Sequence, residues 1–378
     1  MKIVIAPDSF KGSLSALRAA QCIKKGLLRV WPEATYELFP VADGGEGTVE
    51  TLVNLTGGQR FFEPARDALG RLVEASYGFL SDNQTAVLEV ASTCGLTRLS
   101  QDELNPAVTS TFGLGEQIGQ ALARGAKKLI IGLGGSATND GGSGLLSALG
   151  LKFLDKNGRP LPPGGLALAE LARIEPSQEL ERLSQIAMVI ASDVQNPLVG
   201  PDGASAVFGP QKGADAELVK KLDLALSRYA LVAKELTGRE VAQAPGAGAA
   251  GGLGAAFMLF TEAKFCPGLE VVLNEGNFDQ KAAGASLIVT GEGRSDGQTV
   301  WGKAPVGVAQ RGKILGLPTV CLSASLGPGY EKMYEKNVSA IMAMSPGPMS
   351  LKEAMAQAEP LLEEAAERLA RLLATQLL

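Results

Sequence analysis

Acidic side chains recur in short polar segments that follow apolar, strand-like runs of the sequence. They are Asp8, Asp43, Glu46, Asp140, Asp193, Glu292 and Asp296. Phosphoryl transfer uses carboxylates to hold Mg²⁺ and usually one to accept the proton of the attacking hydroxyl. One such aspartate is most often a turn or cap residue, but turns alone do not account for the repetition. These carboxylates are therefore candidates for such roles.

Five basic side chains could hold the anions of such a reaction. They are Lys11, Arg66, Lys212, Arg294 and Lys303. The chain has no histidine, which excludes Ser-His-Asp and Cys-His mechanisms and histidine-bound metals. A general base must therefore be Asp, Glu, Lys, Tyr or Cys.

Residues 132–142, hereafter the glycine loop, are the richest of the glycine segments, and they lie between a predicted strand and a predicted helix. Glycine lets the backbone approach a phosphate closely, and the next helix offers free N–H groups. A wide structural turn is the alternative, but the position favours a nucleotide phosphate loop. Its candidate ligands are Gly134, Gly135, Ser136, Thr138, Asn139 and Asp140.

Two further glycine motifs match known patterns less well. Residues 297–303 match GxxxxGK, but residue 304 is alanine, and residues 291–296 separate the motif from its strand. A P-loop is therefore rejected, while Lys303 remains a candidate phosphate-binding lysine. Residues 246–251 match GxGxxG without a convincing preceding strand, which makes the match weak evidence for a dinucleotide fold.

Length and composition limit the class of protein. A chain of 378 residues with net charge −5 predicts at least two domains and no nucleic-acid partner. No run approaches the roughly 18 apolar residues of a membrane span, the start is not typical of a signal peptide, and the four cysteines are scattered. We expect a cytoplasmic protein without membrane association, and a homo-oligomer is compatible with the sequence.

The elements that must position these residues alternate between strand and helix. Strands are predicted at 2–6, 36–41, 72–80, 85–90, 128–131, 186–191, 287–290, 319–323 and 338–342. Helices are predicted from about 13 to 30 and at 48–55, 109–124, 143–149, 215–236, 253–263, 305–315 and 351–377. The strands at 72–80 and 85–90 should form an antiparallel hairpin.

This order predicts an α/β fold with two domains. Residues 1–62 and 284–378 are predicted to form a discontinuous Rossmann-like domain with a parallel sheet. Residues 63–283 are predicted to form an inserted second α/β domain with a mixed sheet.

Taken together, the loops resemble the glycerate kinase family, of the bacterial glycerate 2-kinase type. The resemblance is carried, in order along the chain, by residues 6–12, 42–48, 134–142, 192–194, 196–198, 208–214, 246–252, 291–294, 296–299 and 302–303, while Ser295 and Trp301 depart from the family pattern. It implies ATP-dependent phosphorylation of D-glycerate to 2-phosphoglycerate with release of ADP, a requirement for Mg²⁺, and an active site in the cleft between the two domains.

Roles for individual residues follow from their chemistry within this scheme. Lys11 and Arg294 are predicted to hold the carboxylate of glycerate, and Asp193 is predicted to be the general base. Asp43 or Asp296 should lie near Mg²⁺. The glycine loop and Lys303 should hold the nucleotide phosphates.

Three alternatives remain open at this stage. The first is a glycerate kinase that forms 3-phosphoglycerate, because nothing in the residue spacing shows which hydroxyl is phosphorylated. Residues 246–251 suggest a nicotinamide-dependent hydroxy-acid dehydrogenase, which requires a strand before that motif. A non-enzymatic sugar-acid sensor would bind without turnover and would not need the acidic loops.

Overall fold

Strands alternate with helices along the chain, which confirms the predicted α/β class. The computed structural model describes residues 1–178, 183, 185–301 and 303–375. The strands in these ranges are β1 (Lys2–Pro7), β2 (Thr35–Leu38), β3 (Gln59–Arg66), β4 (Leu72–Phe79), β5 (Thr85–Glu89), β6 (Lys128–Gly132), β7 (Lys152–Leu154), β8 (Arg173–Glu175), β9 (Ala187–Ala191), β10 (Lys264–Cys266), β11 (Leu287–Ser295), β12 (Thr319–Leu326) and β13 (Ala340–Ala343).

The helices vary from single turns to six turns. They are α1 (Ala16–Leu28), α2 (Thr48–Thr56), α3 (Ala91–Cys94), α4 (Phe112–Ala123), α5 (Ser143–Ala148), α6 (Ala204–Phe208), α7 (Ala216–Thr237), α8 (Ala249–Phe260), α9 (Gly268–Glu275), α10 (Phe278–Ala282), α11 (Ala304–Ile314), α12 (Leu351–Ala356) and α13 (Ala358–Ala374). None of the helices in the described ranges is long and apolar enough to cross a bilayer.

The chain forms two compact units. Unit 1 comprises residues 1–43, 54–56 and 269–378, and unit 2 comprises residues 44–53 and 57–268. The domain boundaries predicted from the sequence, at residues 62 and 284, differ from these unit limits. The predicted domains remain predictions. The expected location of the active site between domains likewise remains a prediction.

Unit 1 is built on a five-stranded parallel sheet in the order β13-β12-β11-β1-β2. The apolar residues Ile3 and Ile5 of β1 are fully buried in its core. Helices α1 and α13 pack together, and Arg29 forms an ion pair with Glu363 at 2.8 Å between them. The parallel register places the carboxyl ends of β1, β2 and β11 at one edge of the sheet.

Unit 2 contains a six-stranded mixed sheet in the order β10-β9-β6-β5-β4-β3, together with the short β7-β8 pair. Strands β10, β9, β6 and β5 are parallel, while β4 and β3 are antiparallel additions. The predicted hairpin is confirmed by the pairs Gly78↔Val87 and Phe79↔Ala86. The glycine loop follows β6, whose Ile130 and Ile131 are fully buried.

Several element predictions need correction. Strands β3, β7, β8 and β10 were not predicted. Strand β11 extends to Ser295 instead of ending at Thr290, because it stays paired with β12 through Ser295↔Leu326. The predicted helix 351–377 is two helices that break at Gln357; its final positions, 376 and 377, lie outside the described residues.

Candidate active site

Three carboxylates of unit 1 lie at neighbouring strand ends. Asp8 follows β1, Asp43 lies beyond the end of β2, and Glu292 is in the last part of β11. The pair Pro7↔Gly291 aligns β1 with β11, and the Asp8 N–H donates to the Gly291 carbonyl oxygen at 2.9 Å. The sheet itself therefore positions these side chains, as expected for the carboxyl edge of parallel strands.

Asp8 is in an environment that disfavours its charge. Burial, followed by the nearby charges of Asp43 and Glu292, raises the pKa of the Asp8 carboxyl to about 7, although the Ser9 N–H and Lys11 oppose the shift. The Ser9 N–H donates to Asp8 Oδ1 at 2.6 Å. The structure thus brings the predicted residues Lys11 and Asp43 to Asp8, for which the sequence predicted no specific role.

Glu292 is buried and held by hydroxyl groups. Its Oε1 accepts hydrogen bonds from Ser295 Oγ at 2.7 Å and Thr299 Oγ1 at 2.9 Å. Burial raises the pKa of the Glu292 carboxyl, while these two hydroxyls and Lys303 oppose the shift. Ser295 also hydrogen-bonds Ser323 Oγ at 2.7 Å, in a buried cluster that includes the Cys321 thiol.

Arg294 and Asp296 form an ion pair at the end of β11, with 3.2 Å between Nε and Oδ2. The Arg294 side chain is 63% exposed, whereas that of Asp296 is 19% exposed. Asp296 Oδ1 also accepts from the Gln298 N–H at 2.9 Å. Arg294 is therefore oriented by its neighbour but remains open to solvent, where it could bind an anion.

Lys303 is the N-cap residue of α11, an eleven-residue helix. One reason given against a P-loop is corrected here, because β11 reaches Ser295 and only Asp296 separates it from Gly297. The other reason stands, since Ala304 begins the helix and offers no hydroxyl for Mg²⁺. Gly302 of this motif lies outside the described residues.

The glycine loop of unit 2 lies against the backbone of residues 44 and 45. The Gly134 N–H donates to the Gly44 carbonyl oxygen at 3.1 Å, and a Cβ atom at Gly134 would lie 2.5 Å from Gly45 Cα. This close approach requires glycine at 134. Gly135 is exposed at the tip of the loop.

The buried lysine Lys212 donates hydrogen bonds to residues of the glycine loop. Lys212 is 1% exposed, and its Nζ donates to Ser136 Oγ at 3.0 Å and to the Thr138 carbonyl oxygen at 2.6 Å. Burial lowers the pKa of the Lys212 ammonium to about 7, with Asp140 opposing the shift. The motif around Lys212 was recognised in the sequence, but its burial depends on packing that the sequence does not reveal.

Asp140 and Asn139 stabilise the glycine loop through buried hydrogen bonds. Asp140 is fully buried and accepts hydrogen bonds from Thr111 N and Oγ1, at 2.8 and 2.9 Å, and from the N–H groups of Gly142 and Gly144. Burial raises the pKa of the Asp140 carboxyl, while these donors oppose the shift. Asn139 Nδ2 donates to Ser205 Oγ at 2.9 Å.

These contacts divide the six predicted loop residues into two groups. Ser136, Thr138, Asn139 and Asp140 are buried, whereas Gly134 is partly exposed and Gly135 exposed. The buried Thr138 Oγ1 and Asn139 Oδ1 have no hydrogen-bond partner within the described part of the chain. The outer backbone at Gly134 and Gly135 is consequently the surface that a phosphate could reach.

Asp193 follows β9 and is exposed. Its position is fixed by its neighbours: the Ser192 N–H donates to the Cys266 carbonyl oxygen at 3.0 Å, and the Val194 N–H donates to Ser192 Oγ at 3.3 Å. Asp193 is therefore at the carboxyl edge of the unit 2 sheet, where a ligand could approach it.

The motif at residues 246–251 packs against the glycine loop. Ala250, Gly251 and Gly252 have left-handed backbone angles, and the Gly141 N–H donates to the Gly251 carbonyl oxygen at 3.0 Å. Residues 239–248 contain turns and no strand, so the strand that a dinucleotide motif requires is absent. The arrangement indicates a structural role for this motif.

Comparison with known proteins identifies the same family along the whole chain. A family model described as the glycerate kinase family matches residues 3–374. Glycerate kinase from Halalkalibacterium halodurans is 48% identical over 97% of each chain. Glycerate 2-kinase from Escherichia coli is 44% identical over 94% of this chain and 93% of its own length.

A solved structure shows the same fold. A crystal structure assigned to glycerate kinase 2 of Salmonella typhimurium LT2 superimposes with a TM-score of 0.88. The two chains are 41% identical, and the match covers 99% of this chain and 98% of the other.

Proposed function

The chain belongs to the glycerate kinase family, and we propose that it transfers the γ-phosphoryl group of ATP to the 2-hydroxyl of D-glycerate. The hydroxyl oxygen forms a bond to the γ-phosphorus, the bond from that phosphorus to the β–γ bridging oxygen breaks, and ADP leaves. The name glycerate 2-kinase of the Escherichia coli relative supports the 2-position.

The grouping of Asp8, Asp43 and Glu292 beside Lys11 is the observation that carries this proposal. The carboxylates repel one another enough to contribute to the raised pKa of Asp8. Neighbouring carboxylates of this kind can accept a proton or bind a cation together. Both functions are needed when a hydroxyl attacks a phosphoryl group. A sensor that only binds would not require them.

Lys11 and Arg294 are proposed to hold the carboxylate of glycerate. Lys11 is exposed and close enough to Asp8 to lower its pKa, while Arg294 is oriented by Asp296. A guanidinium binds a carboxylate through two parallel hydrogen bonds, which would fix the orientation of the substrate as well as hold it.

The nucleotide phosphates are proposed to lie against the exposed backbone of the glycine loop at Gly134 and Gly135, although the Gly134 N–H itself donates to Gly44, with Lys303 as a further cation. The buried contacts of Ser136, Thr138, Asn139 and Asp140 keep this backbone in shape. Their proposed part in nucleotide binding is therefore to support the loop.

The carboxylates of unit 1 offer the oxygen ligands that Mg²⁺ prefers. The described residues contain no group of three or more acidic, cysteine or histidine side chains that could hold a metal on their own. Mg²⁺ is commonly bound by one or two carboxylates together with substrate phosphates, and we propose Asp43 or Asp296 for this role. When bound, the ion would neutralise charge on the phosphoryl group.

Asp193 is the proposed general base. It is exposed at a strand end and would accept the proton of the 2-hydroxyl. Asp8 is its competitor, because its pKa of about 7 is close to the optimum for a base at neutral pH.

Phosphorus NMR of the purified protein with ATP, Mg²⁺ and D-glycerate tests the function. The expected result is a 2-phosphoglycerate signal that grows as ATP falls. A 3-phosphoglycerate signal would overturn the regiochemistry alone, whereas no phosphorylated glycerate from folded protein would overturn the proposed reaction.

A further inference from the structure

A cavity of about 240 Å³ in unit 2 has no role in the assignments above. The side chains of Phe112 and Phe153 form part of its wall, and Ser110, Ser143 and Ser147 add hydroxyl groups. Prolines and a leucine in residues 160–163 contribute further apolar surface. Lys152 also lines the cavity, so its walls are mostly apolar with a few hydrogen-bonding groups and one charged side chain.

Its size and chemistry suit a flat heterocycle. Pockets for drug-sized ligands occupy roughly 300–1,000 Å³, so this smaller cavity fits a single ring system. Ser110 Oγ accepts from the Phe112 N–H at 3.3 Å and can still donate its own hydrogen. Aromatic side chains can stack on the faces of a nucleobase, while hydroxyls can bind its polar edge.

The cavity wall and the glycine loop are joined by hydrogen bonds. Asp140 of the loop accepts from the Gly144 N–H at 3.2 Å and the Thr111 N–H at 2.8 Å. Thr111 Oγ1 in turn accepts from the Leu145 N–H at 2.9 Å. Asp140 therefore connects the loop to both segments, 110–112 and 143–147, that line the cavity.

We propose that this cavity binds the adenine ring of the nucleotide whose phosphates lie on the glycine loop, an inference that rests on the proposed use of ATP. A nucleotide carries a flat base at one end and phosphates at the other, and the segments proposed to bind these two ends are joined through Asp140. The cavity is then a determinant of base specificity in the reaction.

The test fills the cavity and separates base binding from phosphate binding. Ser147→Leu adds bulk inside the cavity, and Ser147→Ala is the matched control that removes the hydroxyl only. Calorimetric titrations with ADP and with inorganic tripolyphosphate are compared with wild type. The expected result is a loss of about tenfold or more in ADP affinity for S147L, with tripolyphosphate affinity and the KM for glycerate unchanged.

Two results would overturn the inference. One is ADP affinity within about twofold of wild type in folded S147L; the other is an equal loss of ADP and tripolyphosphate affinity, which would indicate damage to the loop. Leu161→Phe enlarges a different side chain of the cavity lining and replaces S147L if that variant does not fold. Glycerate phosphorylation by wild type is measured on the same preparation, so a failure of the proposed function is recognised separately.

Discussion

Asp8 and Lys212 are two ionisable side chains whose pKa values are both about 7, although aspartate and lysine normally titrate far apart. Burial is the largest cause in each case and acts in opposite directions, because it disfavours the charged form of either group. Groups shifted in this way occur often at active sites. The sequence located both residues in polar loops, but it could not predict their burial.

Replacing each candidate base distinguishes Asp193 from Asp8. If Asp193 is the base, Asp193→Asn should lower kcat by roughly 10²–10⁴, with Asp8→Asn as the comparison. The measurement is steady-state kinetics from pH 5 to 9 on variants whose circular dichroism matches wild type. Near-normal turnover of D193N, together with loss of a titration near pH 7 in D8N, would assign the base to Asp8 instead.

Lys212 should make folding stability depend on pH. Its pKa is lowered to about 7 in the folded protein from 10.5, so between these values the unfolded chain binds more protons. The contribution of this group to stability therefore rises with pH from about 7 to 10. Urea titrations should show this rise in wild type and a smaller rise in Lys212→Met. Parallel curves for the two proteins would contradict the assignment.

At the level of elements, local sequence predicted the existence of helices and strands better than their limits. Strand β3 was missed because it contains Pro64, which is tolerated since β3 is an edge strand paired only with β4. Helix 351–377 breaks because the ring of Pro360 cannot fit against the carbonyl of residue 356 in a continuous helix. Strand β11 continues through Gly291 and Gly293 because its pairing with β12 extends to Ser295.

The start of α8 contains a strained backbone that can be relieved. Ala250 has φ 51° and ψ 42°, in the left-handed region that disfavours a Cβ atom. Ala250→Gly should raise the free energy of unfolding by about 0.5 kcal/mol, since the strain removed exceeds the added entropy of the unfolded chain. Chemical denaturation measures the change.

Gly251, the next residue, provides a control in which the substitution should destabilise the protein. A Cβ atom at Gly251 would lie 2.0 Å from the Thr138 carbonyl oxygen, so Gly251→Ala should destabilise the protein by about 3 kcal/mol. A destabilised A250G, or a neutral G251A, would show that this segment adopts a different backbone.

For the whole molecule, the sequence predicted the α/β class, the parallel sheet and the mixed sheet, and the family to which the chain belongs. The class and the sheets follow from hydrophobic periodicity, and the family follows from the glycine-rich segments that recur at strand ends. The sequence could not predict which loop residues are buried, because the contact of Asp140 with Thr111 and the contacts of Lys212 with Ser136 and Thr138 join segments that are 29 to 76 residues apart along the chain.

Each unit has its own buried core, so we expect unfolding that departs from a two-state transition. Both tryptophans, Trp31 and Trp301, belong to unit 1. Tryptophan fluorescence should therefore follow unit 1, while far-ultraviolet circular dichroism follows the whole chain. The two denaturation curves should differ in midpoint; coincident curves would show that the units unfold together.

The cysteine environments have a practical consequence for labelling. Cys22, Cys94 and Cys321 are buried, whereas Cys266 at the end of β10 is partly exposed. Burial raises the pKa of the Cys94 and Cys321 thiols to about 12, which keeps both protonated and slow to react. A maleimide fluorophore should thus attach first at Cys266, whose carbonyl accepts from Ser192, the neighbour of Asp193. The native chain already carries an attachment point for an optical reporter beside the proposed base, without any engineered cysteine.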